Sequence, residues 1–74
     1  MIAEHSLVVL DVEPPHEKLS RGDVGTVVHA YKGGKGYEVE FVDGGGNTVA
    51  LITVDSADVR PIQAGELLHT RATA

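Results

Sequence analysis

The chain has no cysteine and no tryptophan, and only one phenylalanine and two tyrosines among its 74 residues. Without cysteine, a disulfide scaffold, a cysteine-ligated zinc site and thiol catalysis are all excluded. Cationic side chains are scarce too: six lysines and arginines stand against eleven aspartates and glutamates, for a formal charge of −5. A surface of that sign repels phosphate backbones, so nucleic acid is not an expected partner. No apolar run reaches the roughly 20 residues of a membrane-spanning helix. The opening Met1-Ile2-Ala3-Glu4-His5-Ser6 lacks the basic start of a secretory signal. The expectation is a soluble cytoplasmic protein without a membrane partner. The length allows one domain, and a domain this small buries only about 60% of the surface its unfolded chain exposes.

What is present is a period of two interrupted by turns, the pattern of short strands. Residues 6–12 are apolar and β-branched and read as a first strand. Residues 13–23 contain Pro14 and Pro15, which remove two backbone donors, so this stretch reads as a loop pinned to the core by Leu19. Residues 24–31 resume as a strand, in which Gly25 signals a bulge or a close backbone approach. Lys32-Gly33-Gly34-Lys35-Gly36 reads as a hairpin turn whose glycines accept positive φ. Residues 37–42 alternate, with Tyr37, Val39 and Phe41 on one face and Glu38 and Glu40 on the other. A second glycine-rich turn over 43–47 leads to a strand over 48–54 that is apolar on both faces. Asp55-Ser56-Ala57-Asp58 fits one helical turn before a last short strand over 59–62. The expected core is Val8, Leu10, Val27, Val39, Phe41, Leu51 and Val59.

Five short strands, a long loop after the first and a single helical turn before the fifth predict an all-β fold, a small SH3-like barrel over residues 1–62. An OB-type barrel would need more residues and a longer helix between its third and fourth strands. Residues 63–74 lose the period and read as a tail, disordered or docking, with Leu67 and Leu68 as its adhesive side chains.

The segments Leu19-Ser20-Arg21-Gly22-Asp23-Val24-Gly25-Thr26-Val27-Val28, Tyr37-Glu38-Val39-Glu40-Phe41-Val42, Thr48-Val49-Ala50-Leu51 and Asp58-Val59-Arg60-Pro61, taken together, resemble the small bacterial domain-of-unknown-function family numbered 4926. That resemblance covers roughly residues 6–62 and implies an SH3-like barrel with no assigned activity. More distantly, the strand pair is similar to SH3-like subunits such as the photosystem I subunit that helps dock ferredoxin, and to KOW-type domains. Those families use basic surfaces and loops to bind RNA or proteins. Here Lys32 and Lys35 form the one basic cluster, so an RNA role does not carry over.

No nucleophile motif, phosphate loop or paired-histidine metal motif is present. Glu13, His16 and Glu17 have the donor types of an ion site, but their simpler reading is a solvated loop, and no metal or other cofactor is expected. The four histidines have no spacing that pairs two of them. Glu38 and Glu40 lie about 7 Å apart on one strand face, a spacing that suits acid–base chemistry, yet nothing in the sequence places a histidine, serine or lysine beside them. Tyr31 alone cannot line a groove for proline-rich peptides. What remains is protein contact. The expected function is a non-enzymatic binding module, an accessory or inhibitory subunit that uses Tyr31, Glu38, Glu40, Leu67 and Leu68 against a protein partner with a basic surface. A KOW-like nucleic-acid-associated domain is the alternative. The two-sided strand over 48–54 calls for a cover, from a partner, from the tail leucines or, as in the expected homo-oligomer, from a second copy.

Overall fold

The computed structural model describes residues 2–73. Its five strands are β1 (Leu7–Leu10), β2 (Val24–Ala30), β3 (Gly36–Val42), β4 (Thr48–Asp55) and β5 (Val59–Pro61), with single 3-10 turns at Lys32–Gly34 and Ser56–Asp58. All neighbours pair antiparallel in one sheet of order β4-β3-β2-β1-β5. The fold is all-β, as the alternation predicts, and the one-turn helix stands where expected, between β4 and β5. β1 is shorter than residues 6–12. Its pairing ends at Leu10, after which the Asp11 amide turns to donate to the Asp58 carbonyl at 2.8 Å.

One face of the sheet forms the core. Val8 and Leu10 of β1, Val27 of β2, Tyr37, Val39 and Phe41 of β3, Ala50 and Val54 of β4 and Val59 of β5 share a single cluster with Leu19. Residues from both end strands meet in that cluster, so the sheet curls until its inner face closes on itself. The loop residue Leu19 is buried, as its isolated apolar character predicts.

β2 comes close to β3 at Gly25. A Cβ there would sit 2.6 Å from Val39 Cγ1 and 2.8 Å from Phe41 Cε2, so the absent side chain is what lets the two strands approach. The bulge falls later in β2. Register slips between Val27 and His29, which leaves Val28 and His29 both exposed and turns Ala30 back against the core. In the first turn Gly33 and Gly34 adopt φ of 79° and 67°, while Gly36 lies within β3 rather than the turn.

Two expectations are corrected. Leu51 does not belong to the core and is 56% exposed. In β4 it is Ala50, Ile52 and Val54 that stand opposite Phe41, Val39 and Tyr37, whereas Leu51 stands opposite Glu40 and therefore faces outward with it. The tail leucines do not cover β4 either. Leu67 and Leu68, 93% and 66% exposed, line a cleft with Val9, Val24 and Ile62 on the β1–β5 side. The later tail residues His69, Thr70, Arg71 and Thr73 are the ones that share a cleft with Val42 and Val49.

Phe41→Ala is expected to cost ~3–5 kcal/mol, a large part of the roughly 4–11 kcal/mol available to a chain of this length. Thermal unfolding followed by circular dichroism checks this, and an unmoved transition would mean that the β3 register is wrong.

Candidate protein-interaction face

The outer face of the sheet is ordered by the same register that fills the core. One row runs across four strands as Leu7, Thr26, Glu40 and Leu51, and the next as His29, Glu38 and Thr53. Leu7, Val28, Val42 and Leu51 are exposed aliphatic side chains on or beside these rows. Neither row contains a lysine or an arginine.

Both carboxylates are held by hydroxyls of β4. Thr53 Oγ1 donates to Glu38 Oε1, and Thr48 Oγ1 to Glu40 Oε2, each at 2.6 Å. These cross-strand bonds draw the two acids sideways over β4 and away from β2. On the other side of Glu38, His29 Nδ1 lies 3.5 Å from Glu4 Oε2, and the His29 ring meets Tyr31 edge to face with centroids 4.6 Å apart. The structure thus joins three of the five predicted contact residues: Glu38 and Glu40 directly, and Tyr31 through His29. Leu67 and Leu68 lie apart from them, along Val9 and Ile62.

The arginines serve the fold itself. Arg60 grips Glu66 in a bidentate pair with both contacts at 2.8 Å, and the Gln63 amide donates to the same carboxylate. Arg71 Nε donates to Asp23 Oδ1 at 2.8 Å, and its Nη2 reaches both Asp23 Oδ2 and the Lys18 carbonyl. Arg21 lies 3.7 Å from Asp11. The tail is therefore fastened by ion pairs rather than by its leucines. With all three arginines held by carboxylates, Lys18, Lys32 and Lys35 are the cations without an ion-pair partner among the described residues.

Sequence reasoning missed the N-terminal arm. The Ile2 amide donates to the Tyr37 hydroxyl at 3.0 Å and Ile2 packs against the core, while the His5 amide donates to the Val27 carbonyl. No local pattern in residues 2–5 announces these contacts, because their partners lie more than 20 residues away. In the long loop His16 Nδ1 accepts the Lys18 amide at 3.2 Å, and among the described residues no three histidine, aspartate or glutamate side chains gather as ligands.

A third cleft, of about 200 Å³, runs beside the C-terminal half of β4. Its walls are Val12, Pro14, Pro15 and His16 of the long loop, Leu10 of β1, Ile52 through Asp55 of β4, and Asp58. Residues from both faces of β4 line it, so it opens along the free edge of that strand. Its only charged walls are Asp55 and Asp58.

Fold and surface together define a small all-β domain with one acidic, aliphatic-rimmed sheet face. The model of the family described as domain of unknown function (DUF4926) matches residues 4–61, and the chain belongs to that family. No curated protein and no solved structure matches it.

The tail clamps carry a pH dependence. The Arg60 guanidinium, with the Gln63 amide, holds the Glu66 carboxyl down from 4.5 to about 2, and Arg71 holds Asp23 below its ordinary 3.8. A carboxyl whose pKa is depressed by folding stabilises the native state above its unfolded pKa and loses that contribution as pH falls toward its folded pKa. The thermal midpoint is expected to drop between pH 4.5 and about 2. The Arg60→Ala, Arg71→Ala double variant should flatten that drop in a series of melting curves, and an unchanged slope would contradict the clamps.

Proposed function

We propose that this chain is a non-enzymatic protein-binding module, an accessory or inhibitory subunit that meets a basic protein partner through the outer face of an SH3-like barrel. The barrel reading is supported by β1 lying between β2 and β5 and by the 3-10 turn joining β4 to β5. The observation that carries the function is the row Leu7, Thr26, Glu40, Leu51: exposed aliphatic residues at its ends, a carboxylate within it and no cation. Aliphatic area supplies affinity and the carboxylates select a cationic partner and speed encounter. His29 and Thr53 flank Glu38 in one row, but the Thr53 and Thr48 hydroxyls donate to the two carboxylates and all lie on the exposed sheet face, which supports a contact surface over a reaction centre.

A second copy is the rival cover for Leu51, and an exposed leucine on a domain with a small core favours some cover. Sedimentation velocity at micromolar concentration separates the two, since a self-covering chain sediments as a dimer without any partner. Capture from host extract tests the main reading. The wild type should retain a basic protein that the Glu38→Gln, Glu40→Gln variant releases, and equal retention by both would overturn it. Labelled RNA should bind no more tightly than the weak non-specific range at physiological salt. Tight binding that weakens steeply with added salt would instead favour the KOW-like alternative.

A further inference from the structure

The two edges of the sheet are unlike. β5 is three residues long, ends in Pro61 and is flanked by the Arg60–Glu66 clamp. A short strand with a proline is a blunted edge. β4 is eight residues long and contains neither proline nor lysine, and its one charge is the terminal Asp55. Apart from its pairing with β3, no backbone-to-backbone hydrogen bond reaches residues 48–55 among the described residues. Its outward-pointing amides and carbonyls are open to pairing. Along its C-terminal half that open edge borders the cleft walled by Pro14, Pro15, Ile52 and Val54.

We propose that β4 accepts an extended segment of the partner as a sixth strand, one that alternates basic and apolar residues. This deepens the reading of the acidic face and rests on it. The geometry sets the alternation. A strand added beside β4 lies about 4.8 Å beyond it, with alternate side chains on opposite faces. On the outer face those side chains meet Glu38 and Glu40, which the Thr53 and Thr48 hydroxyls already hold over β4. Glu38 and Glu40 leave β3 about 7 Å apart and are held by Thr53 and Thr48, five positions apart on β4, so outward residues of an added strand that runs the length of β4 can face each carboxylate in turn. On the inner face the intervening side chains enter the cleft, whose walls Val12, Pro14, Pro15, Ile52 and Val54 are apolar and whose charged walls, Asp55 and Asp58, are acidic.

The same lean of the carboxylates disfavours β4 of a second copy as the occupant. Strand-to-strand pairing of two copies would set both acid pairs over adjacent strands, well inside the roughly 8 Å over which salt screens charge at physiological ionic strength. A cationic strand turns that repulsion into attraction.

The probe is a fluorescein-labelled eight-residue peptide of alternating lysine and valine, with a composition-matched control in which four lysines precede four valines. Fluorescence anisotropy should show the alternating peptide binding at least tenfold more tightly than the control. Glu38→Gln, Glu40→Gln should weaken it tenfold or more. Leu51→Lys, an exposed position whose replacement leaves the core intact, should do the same. Methylating the peptide's backbone amides on one edge should abolish binding while methylation on the other edge leaves it unchanged, since only one edge can pair with β4. Equal binding of the two peptides, or indifference to methylation on both edges, overturns strand addition. If both peptides bind equally but the glutamine variant binds neither, the acidic face stands and only the edge reading fails. If no peptide binds and a captured basic protein is also indifferent to Glu38 and Glu40, both readings fail. A dimer that excludes the peptide assigns the edge to a second copy and overturns the proposal.

Discussion

The approach of β2 onto β3 at Gly25 is the constraint from which the rest of this domain follows. Val39 and Phe41 occupy the space that a side chain at Gly25 would need. β3 pairs with β2 from Tyr37 to Glu40 and with β4 from Gly36 to Val42, and its period of two sends Tyr37, Val39 and Phe41 inward and Glu38 and Glu40 outward. A shift of one residue would bury both glutamates, at a cost that a 74-residue chain could not offset. The core and the acidic face are two sides of a single register.

Charge is divided in a consistent way around that register. Every arginine is engaged by a carboxylate of the same chain, two of them fastening the tail and one steadying the long loop. The acids left without a cation include Glu38, Glu40, Asp55 and Asp58, which lie over β4 or at the cleft beside it. The sheet's one unblunted edge and these four acids therefore lie together, at or beside β4. Exposed ion pairs contribute little stability individually, so the clamps act mainly to fix where the tail lies, with Glu66 to Leu68 on the β1–β5 side and Arg71 in the cleft that reaches Val42 and Val49.

Wherever one face is apolar and the other polar, the sequence alone was enough to read the fold. β3 is the clear case, and Leu19, alone among polar loop residues, announced its own burial. In β4 both faces are apolar, so alternation groups Leu51 with Thr53 correctly but cannot say which group points inward. The answer depends on pairing with β3 and on the irregularity between Phe41 and Val42. Of the candidate site, the two glutamates and their shared face were legible. The threonine hydroxyls that orient them are 8 and 15 residues distant, and Arg71 and Asp23 are 48 apart, separations over which only register and loop closure decide who meets. How the tail is held was not legible, because leucines are the obvious adhesive in a polar stretch, whereas the bonds formed are those of Glu66 and Arg71.

The central claim is that the free protein carries an acidic sheet face ending at one open edge, and amide hydrogen exchange of the isolated chain at micromolar concentration tests it most directly. Along Leu51 to Asp55 the account predicts alternation, with amides directed at β3 exchanging slowly and those directed at the free edge exchanging quickly. Uniformly slow exchange along β4 in the absence of any partner would show that the edge is already paired, and would contradict it.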